Sequence, residues 1–413
     1  MRKLYLPLSL ISCLLFADAM AQITTTAVPF LRIAPSTVIN SMGRSGVALD
    51  YNDPFLALDN PAYMPTFSTT SFSAFSMTHS DWLPNLTGDL KIQNYAVSSA
   101  LNLESLTGLP LKAQLTYIHR NFDYGVYIQP DQFGNELGRY ETYEYSNGIF
   151  ASVSYKYGAE WLIGAGFDKF YSKFPPFNGP ETQLDRISEG HAWSFGFLSR
   201  LPLHEWFTPI DPASDFNQEY YLNLGASVVN SGDKLIYSDP LVSDPLPKTG
   251  KIGYSTVYKL NYRNNDQPIN LFLAQWSVDV SDLLITNNKD FTQDYDNFPG
   301  DISIFKHVIG LKAEDKIQLH RGYMLSFFET FTFMQGWDDQ EGFSSTVATT
   351  GLEFSSGGLF KYLAGEIEMP LVKTILAGSA IKFSISEIDM KEKRHPLDNT
   401  KYSGFSANFG FTF

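Results

Sequence analysis

After residue 68 the chain is dominated by a period-two alternation of apolar and polar residues. The C-terminus is the cleanest case: Phe405, Ala407, Phe409, Phe411 and Phe413 fall on one side, Ser406, Asn408, Gly410 and Thr412 on the other. The pattern recurs at Tyr220, Leu222, Leu224, Ala226 and Val228 against Asn223, Gly225 and Ser227, and at Phe272, Ala274, Trp276, Val278 and Val280 against Gln275, Ser277, Asp279 and Ser281. Ala151, Val153, Tyr155 and Tyr157 alternate with Ser152, Ser154 and Lys156, and Ile381, Phe383 and Ile385 with Lys382, Ser384 and Ser386. Side chains of a strand point alternately to its two faces, so each run predicts a strand with one apolar and one polar face.

Such windows lie near 70–79, 91–103, 111–121, 124–129, 142–157, 160–172, 191–201, 218–230, 250–263, 268–282, 304–314, 322–334, 346–355, 375–388 and 402–413. Allowing for split or spurious ones, they predict an all-β fold of about 14 antiparallel strands. The polar stretches 173–189, 204–217, 231–249, 287–301 and 335–345 read as long loops on one side, and Gly158-Ala159 as a short turn on the other. That asymmetry is the mark of a transmembrane β-barrel. Strands of a soluble sandwich or propeller alternate too. Here, however, no repeat of about 40–50 residues is visible, and Trp193, Tyr155, Tyr157 and Tyr402 stand near strand ends, as interfacial girdles require. The terminal Phe413 closes the last amphipathic strand in the way outer-membrane assembly favours.

Composition agrees. Only 18% of residues are charged while 15% are aromatic, with 33 Phe and 23 Tyr, against roughly a quarter charged in soluble proteins. The net charge of −14 excludes nucleic acid as a partner, because neutralising phosphates takes basic patches. No run of about eighteen apolar residues follows residue 22, so the chain has no helical span. A membrane crossing by this chain must then be a closed barrel, which alone satisfies every backbone group without helices.

The first residues fix the compartment. Arg2 and Lys3, then the apolar stretch from Leu4 to Ala17, then Ala19-Met20-Ala21 before Gln22 form a secretory signal peptide over 1–21. The only cysteine, Cys13, lies within it, so the mature chain has no disulfide framework and no thiolate chemistry. Residues 22–68 contain Pro29, Pro35, Pro54, Pro61 and Pro65 and alternate weakly, which disfavours strands. Their apolar content (Val28, Phe30, Leu31, Ile33, Val47, Phe55, Leu56, Leu58) disfavours a solvated tail. The segment 22–68 therefore reads as a plug in a barrel formed by 69–413.

Motifs for chemistry are missing from the linear order. The seven His form no HExxH, and there is no GxSxG, Walker loop or GxGxxG after a strand. No cofactor, metal site or catalytic residue is expected. Ser45, in the turn Gly43-Arg44-Ser45-Gly46, reads as a turn residue rather than a nucleophile. Asp50, Asn52 and Asp53, and Asp294, Asp296 and Asp301, lack calcium-loop spacing and read as solvated loop acids. Phe327, Phe328, Phe331 and Phe333 read as lipid-facing girdle. An esterase acting on lipid A needs a Ser/His/Asp constellation, and none can be placed from the sequence.

One resemblance adds to this reading. Thr26-Ala27-Val28-Pro29-Phe30-Leu31-Arg32-Ile33-Ala34-Pro35, Met42-Gly43, Gly46-Val47-Ala48 and Asn60-Pro61-Ala62 resemble the N-terminal signature of the PorV/PorQ family of outer-membrane proteins, relatives of the FadL-type barrels. Trp82-Leu83-Pro84-Asn85-Leu86, the run from Asn230 to Tyr237 through Asp233 and Lys234, Leu246-Pro247 and Gly253 continue it. The chain departs from the family at Asn40-Ser41, where a glycine-rich step is usual, and at Arg44, where an acidic residue is common.

The resemblance implies a role in type IX secretion at the bacterial outer membrane. A shuttle of this kind binds the C-terminal β-domains of secreted cargo at the translocon and delivers them to the surface attachment machinery. Its expected partners are outer-membrane lipid, translocon and attachment-complex proteins, and the cargo. The plug motif would be Phe30, Leu31, Gly43, Gly46, Asn60, Pro61 and Ala62. The candidate partner-contact segment would be Trp82, Leu83, Pro84, Asp233, Lys234 and Tyr237. The alternative is a FadL-like transporter of hydrophobic compounds, with which Asn60-Pro61-Ala62 is equally consistent.

Overall fold

The computed structural model describes residues 26–86, 88, 90–130, 133–175, 186–207, 214–236, 243–264, 267–288, 292–314, 316–339, 346–390 and 395–411. The signal peptide expected over 1–21, Tyr237 and Phe413 lie outside the described residues. The strands are β1 (Ser71–Asp81), β2 (Lys91–Asn102), β3 (Leu111–Pro130), β4 (Glu136–Tyr157), β5 (Ala159–Phe174), β6 (Arg186–Pro202), β7 (Phe216–Ser231) and β8 (Thr249–Asn264). They continue with β9 (Gln267–Leu283), β10 (Ile285–Asn287), β11 (Gln293–Tyr295), β12 (Ile317–Phe327), β13 (Phe331–Asp338), β14 (Val347–Ser355), β15 (Ala380–Asp389) and β16 (Lys401–Phe411).

All but β10 and β11 form one closed barrel in which each strand pairs antiparallel with its neighbours in the chain. Closure comes from β16 on β1, in continuous register from Ser71↔Phe411 to Asp81↔Lys401. The period-two reading holds face for face. On β9 the residues Gln275, Ser277, Asp279 and Ser281 are buried on the inner face. Around the outside Leu115, Ile149, Ile163, Phe195, Leu352, Phe383 and Ile385 are exposed. An apolar surface this extensive would aggregate in water and is the matching face for acyl chains. Among the described residues no helix is long and apolar enough to span a membrane. This is a transmembrane barrel of the bacterial outer membrane.

The structure differs from expectation at the joints. Windows 111–121 and 124–129 are one strand, β3, with a register shift between Asp123 and Val126. Window 322–334 is split by the turn between β12 and β13, and 304–314 is no strand: Ile304–Ile309 is a π-helical turn. The apolar spacing there misleads because Val308 and Ala313 pack, with Ile302, onto the outer wall of the barrel, against Val278, Val280, Ile317 and Leu319. The start of 375–388 belongs to the second of two helices, Gly357–Glu366 and Pro370–Ala377, that connect β14 to β15. The polar stretch 204–217 joins β6 to β7 on the rim that carries the β16 end, opposite the other long loops. The rim with the longer connections, including 284–316, is the extracellular one by the usual asymmetry of such barrels.

Candidate functional site: the plug seat and the outer rim

Residues 26–68 run through the lumen and touch the wall on every side. The local structure starts from caps. Ser36 Oγ accepts the Ile39 N–H at 3.0 Å and starts the short helix Thr37–Ser41. Asp53 accepts from Phe55 N at 3.0 Å, ahead of the 3₁₀ turn Pro54–Leu58, with proline at the position where its missing N–H costs nothing. These turns aim Val38, Ile39, Met42, Leu49, Phe55, Leu56 and Tyr63 into one core with Ala96, Ile118, Phe150, Met324 and Met334 of the wall. A second core joins Val28, Phe30 and Leu31 to Ile92, Phe122, Phe170, Leu235 and Leu246.

The wall meets the plug backbone through glycine. A Cβ on Gly164 would overlap Pro61 O, on Gly196 Asn60 Oδ1, on Gly225 Val47 O, on Gly322 Met42 O and on Gly336 Gly43 N. Gly43 itself sits at φ +62 against the backbone of Arg321 and Trp337, so it needs glycine for conformation and for space. The predicted plug motif thus falls at the seat. Phe30 and Leu31 are core, Gly46 faces Asp59 with 2.5 Å for an added Cβ, and Asn60 donates to Val47 O at 2.8 Å and Phe197 O at 2.9 Å. Ala62 N–H donates to Asn60 Oδ1 at 3.0 Å.

Polar wall residues complete the seat. Asp279 Oδ2 accepts Val47 N–H at 2.7 Å, Ser255 Oγ donates to Ala48 O at 2.6 Å, and Ser152 Oγ donates to Tyr63 O at 3.0 Å. Asp50 is paired with Lys259 at 2.8 Å and with Arg200 at 3.9 Å, Asp59 with Lys251, and Arg44 with Asp338 at 3.4 Å. Burial pushes the Asp50 carboxyl up, but Lys259 and Arg200 outweigh it and hold it at about 2. Burial raises the Asp53 carboxyl, although Ser36 and the Phe55 N–H pull the other way. Asp50 and Asp53, expected to be solvated, are therefore buried structural partners, because this stretch threads the barrel instead of facing water, whereas Asp294 and Asp301 are exposed loop acids as expected. Serine, asparagine and lysine on the inner face were legible as a polar lumen; they serve a packed plug. The gap left between Leu31–Pro35 and the wall is about 50 Å³, room for a few waters.

The predicted partner-contact residues separate. Trp82 and Leu83 pack on the cluster around Tyr402 and Leu397, with Trp82 edge-on to Tyr402 at 6.2 Å. Asn85 ties this turn to His395 O and Asp398 O. Pro84 is exposed. Lys234 pairs with Asp294 at 3.2 Å, and Asp233 is exposed beside it. Three of the predicted contacts, Trp82, Leu83 and Lys234, thus pack on or pair with neighbouring segments of the chain, a use that sequence does not reveal. What the sequence reading missed is the apron 298–314, where Ile304, Phe305, Ile309 and Leu311 are exposed, Phe305 by 82%.

No family model matches this chain, and no curated protein does. Solved barrels of similar outline include the toluene transporter TbuX of Ralstonia pickettii, with TM-score 0.41 and 11% identity over 91% of this chain and 98% of that one. The toluene transporter TodX of P. putida gives 0.40 and 8% over 92% and 99%. A FadL homologue of Pseudomonas aeruginosa gives 0.40 and 8% over 92% and 98%. The likeness is one of general outline.

Proposed function

We propose that this outer-membrane barrel works with its lumen shut, as a docking and escort protein for exported proteins that carry C-terminal β-domains. The observation that carries this reading is the plug: it is seated on wall glycines and tied by buried ion pairs, and the gap beside Leu31–Pro35 is only about 50 Å³. A barrel closed in this way does its work at its rims. At the outer rim, 298–314 exposes Ile304, Phe305, Ile309 and Leu311 as an apolar patch of the kind that marks contact with a protein or a membrane. The N-terminal motifs that resemble the PorV/PorQ family point the same way, to a translocon and an attachment complex as partners and to no enzymatic activity in that role.

Uptake of small hydrophobic compounds is the second reading; TbuX and TodX are toluene transporters. A groove of about 510 Å³ on the outer wall favours it, lined by Met77, Tyr95, His119 and Phe405 among others and large enough for a monoaromatic ring. Deleting the gene and measuring both surface display of exported proteins and uptake of labelled toluene separates the two. The first reading expects display to be lost and uptake to be unchanged; normal display with uptake lost would replace it by the second.

A further inference from the structure

The outer wall of β1, β2, β3 and β16 changes character towards the extracellular rim. Low on this wall the outward side chains are apolar: Val97, Leu101 and Phe409 are exposed, and Phe75 meets Phe405 ring to ring at 6.5 Å. Higher up, Met77, Tyr95 and Phe405 flank the groove of about 510 Å³, whose upper part carries His79, Gln93, Asn121 and Ser403. Strand register sets these polar groups abreast: Ser403 stands opposite His79, His79 opposite Gln93, and Gln93 opposite Asn121. Two residues further up, Lys401, Asp81 and Lys91 form the next row.

The height of the groove says what surrounds it. Gln93 lies eight positions along β2 from Leu101, which at about 3.4 Å per residue and a tilt of about 40° is roughly 20 Å. The apolar band of such barrels is about 25 Å tall, so His79 and Gln93 stand where acyl chains give way to headgroups. Hydrogen-bonding side chains are costly against acyl chains, and a monoaromatic ring offers them no partner.

We propose that this groove binds the phosphorylated glycolipid of the outer leaflet, acyl chains below and sugar headgroup above. The apolar lining runs without a break into the lipid-facing wall, so the occupant comes from the bilayer itself. Its acyl chains lie over Phe75, Val97 and Phe409, and its hydroxyls meet His79, Gln93, Asn121 and Ser403. Tyr95, stacked on His119 at 4.7 Å, is an amphipathic ring at the level where such rings settle. Lys91 and Lys401 offer cations to phosphate on either side of Asp81, which is 3.6 Å from His79. Asp123 opposite Lys91, and Glu387 at 3.7 Å from Lys401, make the row one of alternating charge. Alternating charge suits a headgroup of hydroxyls and phosphates better than a bare anion.

The test is native mass spectrometry of the purified full-length mature barrel, stripped of lipid and titrated in mild detergent with lipid A. Folding of every variant is checked by its heat-modifiable migration on a gel. The expected result is saturable binding of lipid A that neither inorganic phosphate nor toluene displaces. Phosphatidylglycerol should bind roughly 10-fold more weakly, the worth of one or two hydrogen bonds. Lys91→Ser with Lys401→Ser should weaken lipid A binding about 30-fold, at roughly five-fold per lysine beside an anionic lipid. Gln93→Leu with Asn121→Leu should erase the preference for lipid A over phosphatidylglycerol, while Lys156→Ser at the other rim changes neither. Equal binding of the two lipids by wild type, a preference kept by the Gln93 and Asn121 variant, or undiminished binding by the lysine variant overturns the proposal. Displacement of lipid A by toluene overturns it too and returns the groove to a hydrocarbon.

Discussion

Replacing Gly336 by alanine tests the plug seat with one methyl group. Its Cβ would fall on Gly43 N and Met42 C of the plug, both backbone atoms that no rotamer change can move. To reach ordinary carbon contact near 3.5 Å, the plug has to retreat by roughly an ångström or more. Overpacking of this kind costs about 1–3 kcal/mol, which lowers the ratio of seated to unseated plug by roughly 5- to 150-fold. The retreat also pulls Arg44 from Asp338 and loosens Met42 from Met324 and Met334. Two assays read it: trypsin cleavage within 26–68 of the folded barrel, and ion conductance in planar bilayers. Wild type should resist cleavage and conduct little; Gly336→Ala should be cleaved faster and show open events. Gly88→Ala, where an added Cβ meets nothing within 4 Å, is the control. If Gly336→Ala matches the control in both assays, the wall glycines are not a seat and the reasoning fails.

Further outcomes follow from the same contacts. Asn60→Ala removes donors to Val47 O and Phe197 O and the acceptor for Ala62 N–H, leaving buried groups unpaired at about 1–3 kcal/mol each; the heat-modification midpoint should drop below that of wild type. Lys259→Met removes the nearer of the two cations paired with Asp50; trypsin protection of 26–68 should weaken, and an unchanged rate would count against the ion-pair lock. The Asp50 carboxyl is lowered to about 2 in the fold from about 3.9 unfolded, so its contribution is complete above about pH 4 and is lost as pH falls towards 2. Plug protection should decline across that window, and Asp50→Asn should flatten the decline. Phe305→Asp with Ile309→Asp should leave the barrel folded and reduce capture of exported proteins; undiminished capture would remove the apron from the account.

The barrel was legible because its physics is local: one face meets lipid, so Phe383 and Ile385 alternate with Lys382 and Ser384 whatever happens elsewhere. The plug was legible as a segment, from prolines that refuse strands and apolar residues that refuse water. Its seat was not, because Gly164, Gly225 and Gly336 read as ordinary strand glycines until Pro61, Val47 and Gly43 are placed against them. Asp50 reads as a loop acid for the same reason, its partner Lys259 being far along the chain. Residues 304–314 of the apron were mistaken for a strand, because their apolar positions include Val308 and Ala313, which pack on the outer wall from a helical turn and its exit and not from a strand.

The central claim is that the plug stays seated while the protein works. Thr37 Oγ1 of the plug lies 2.5 Å from Ser384 Oγ of β15, and the one cysteine of the sequence, Cys13, precedes the plug. Thr37→Cys with Ser384→Cys therefore allows a disulfide that locks plug to wall, reversibly. Surface display of exported proteins, measured in cells carrying the oxidised and then the reduced double variant, is the deciding measurement. The shut-lumen account predicts equal display in both states. Display lost on oxidation and recovered on reduction would contradict it.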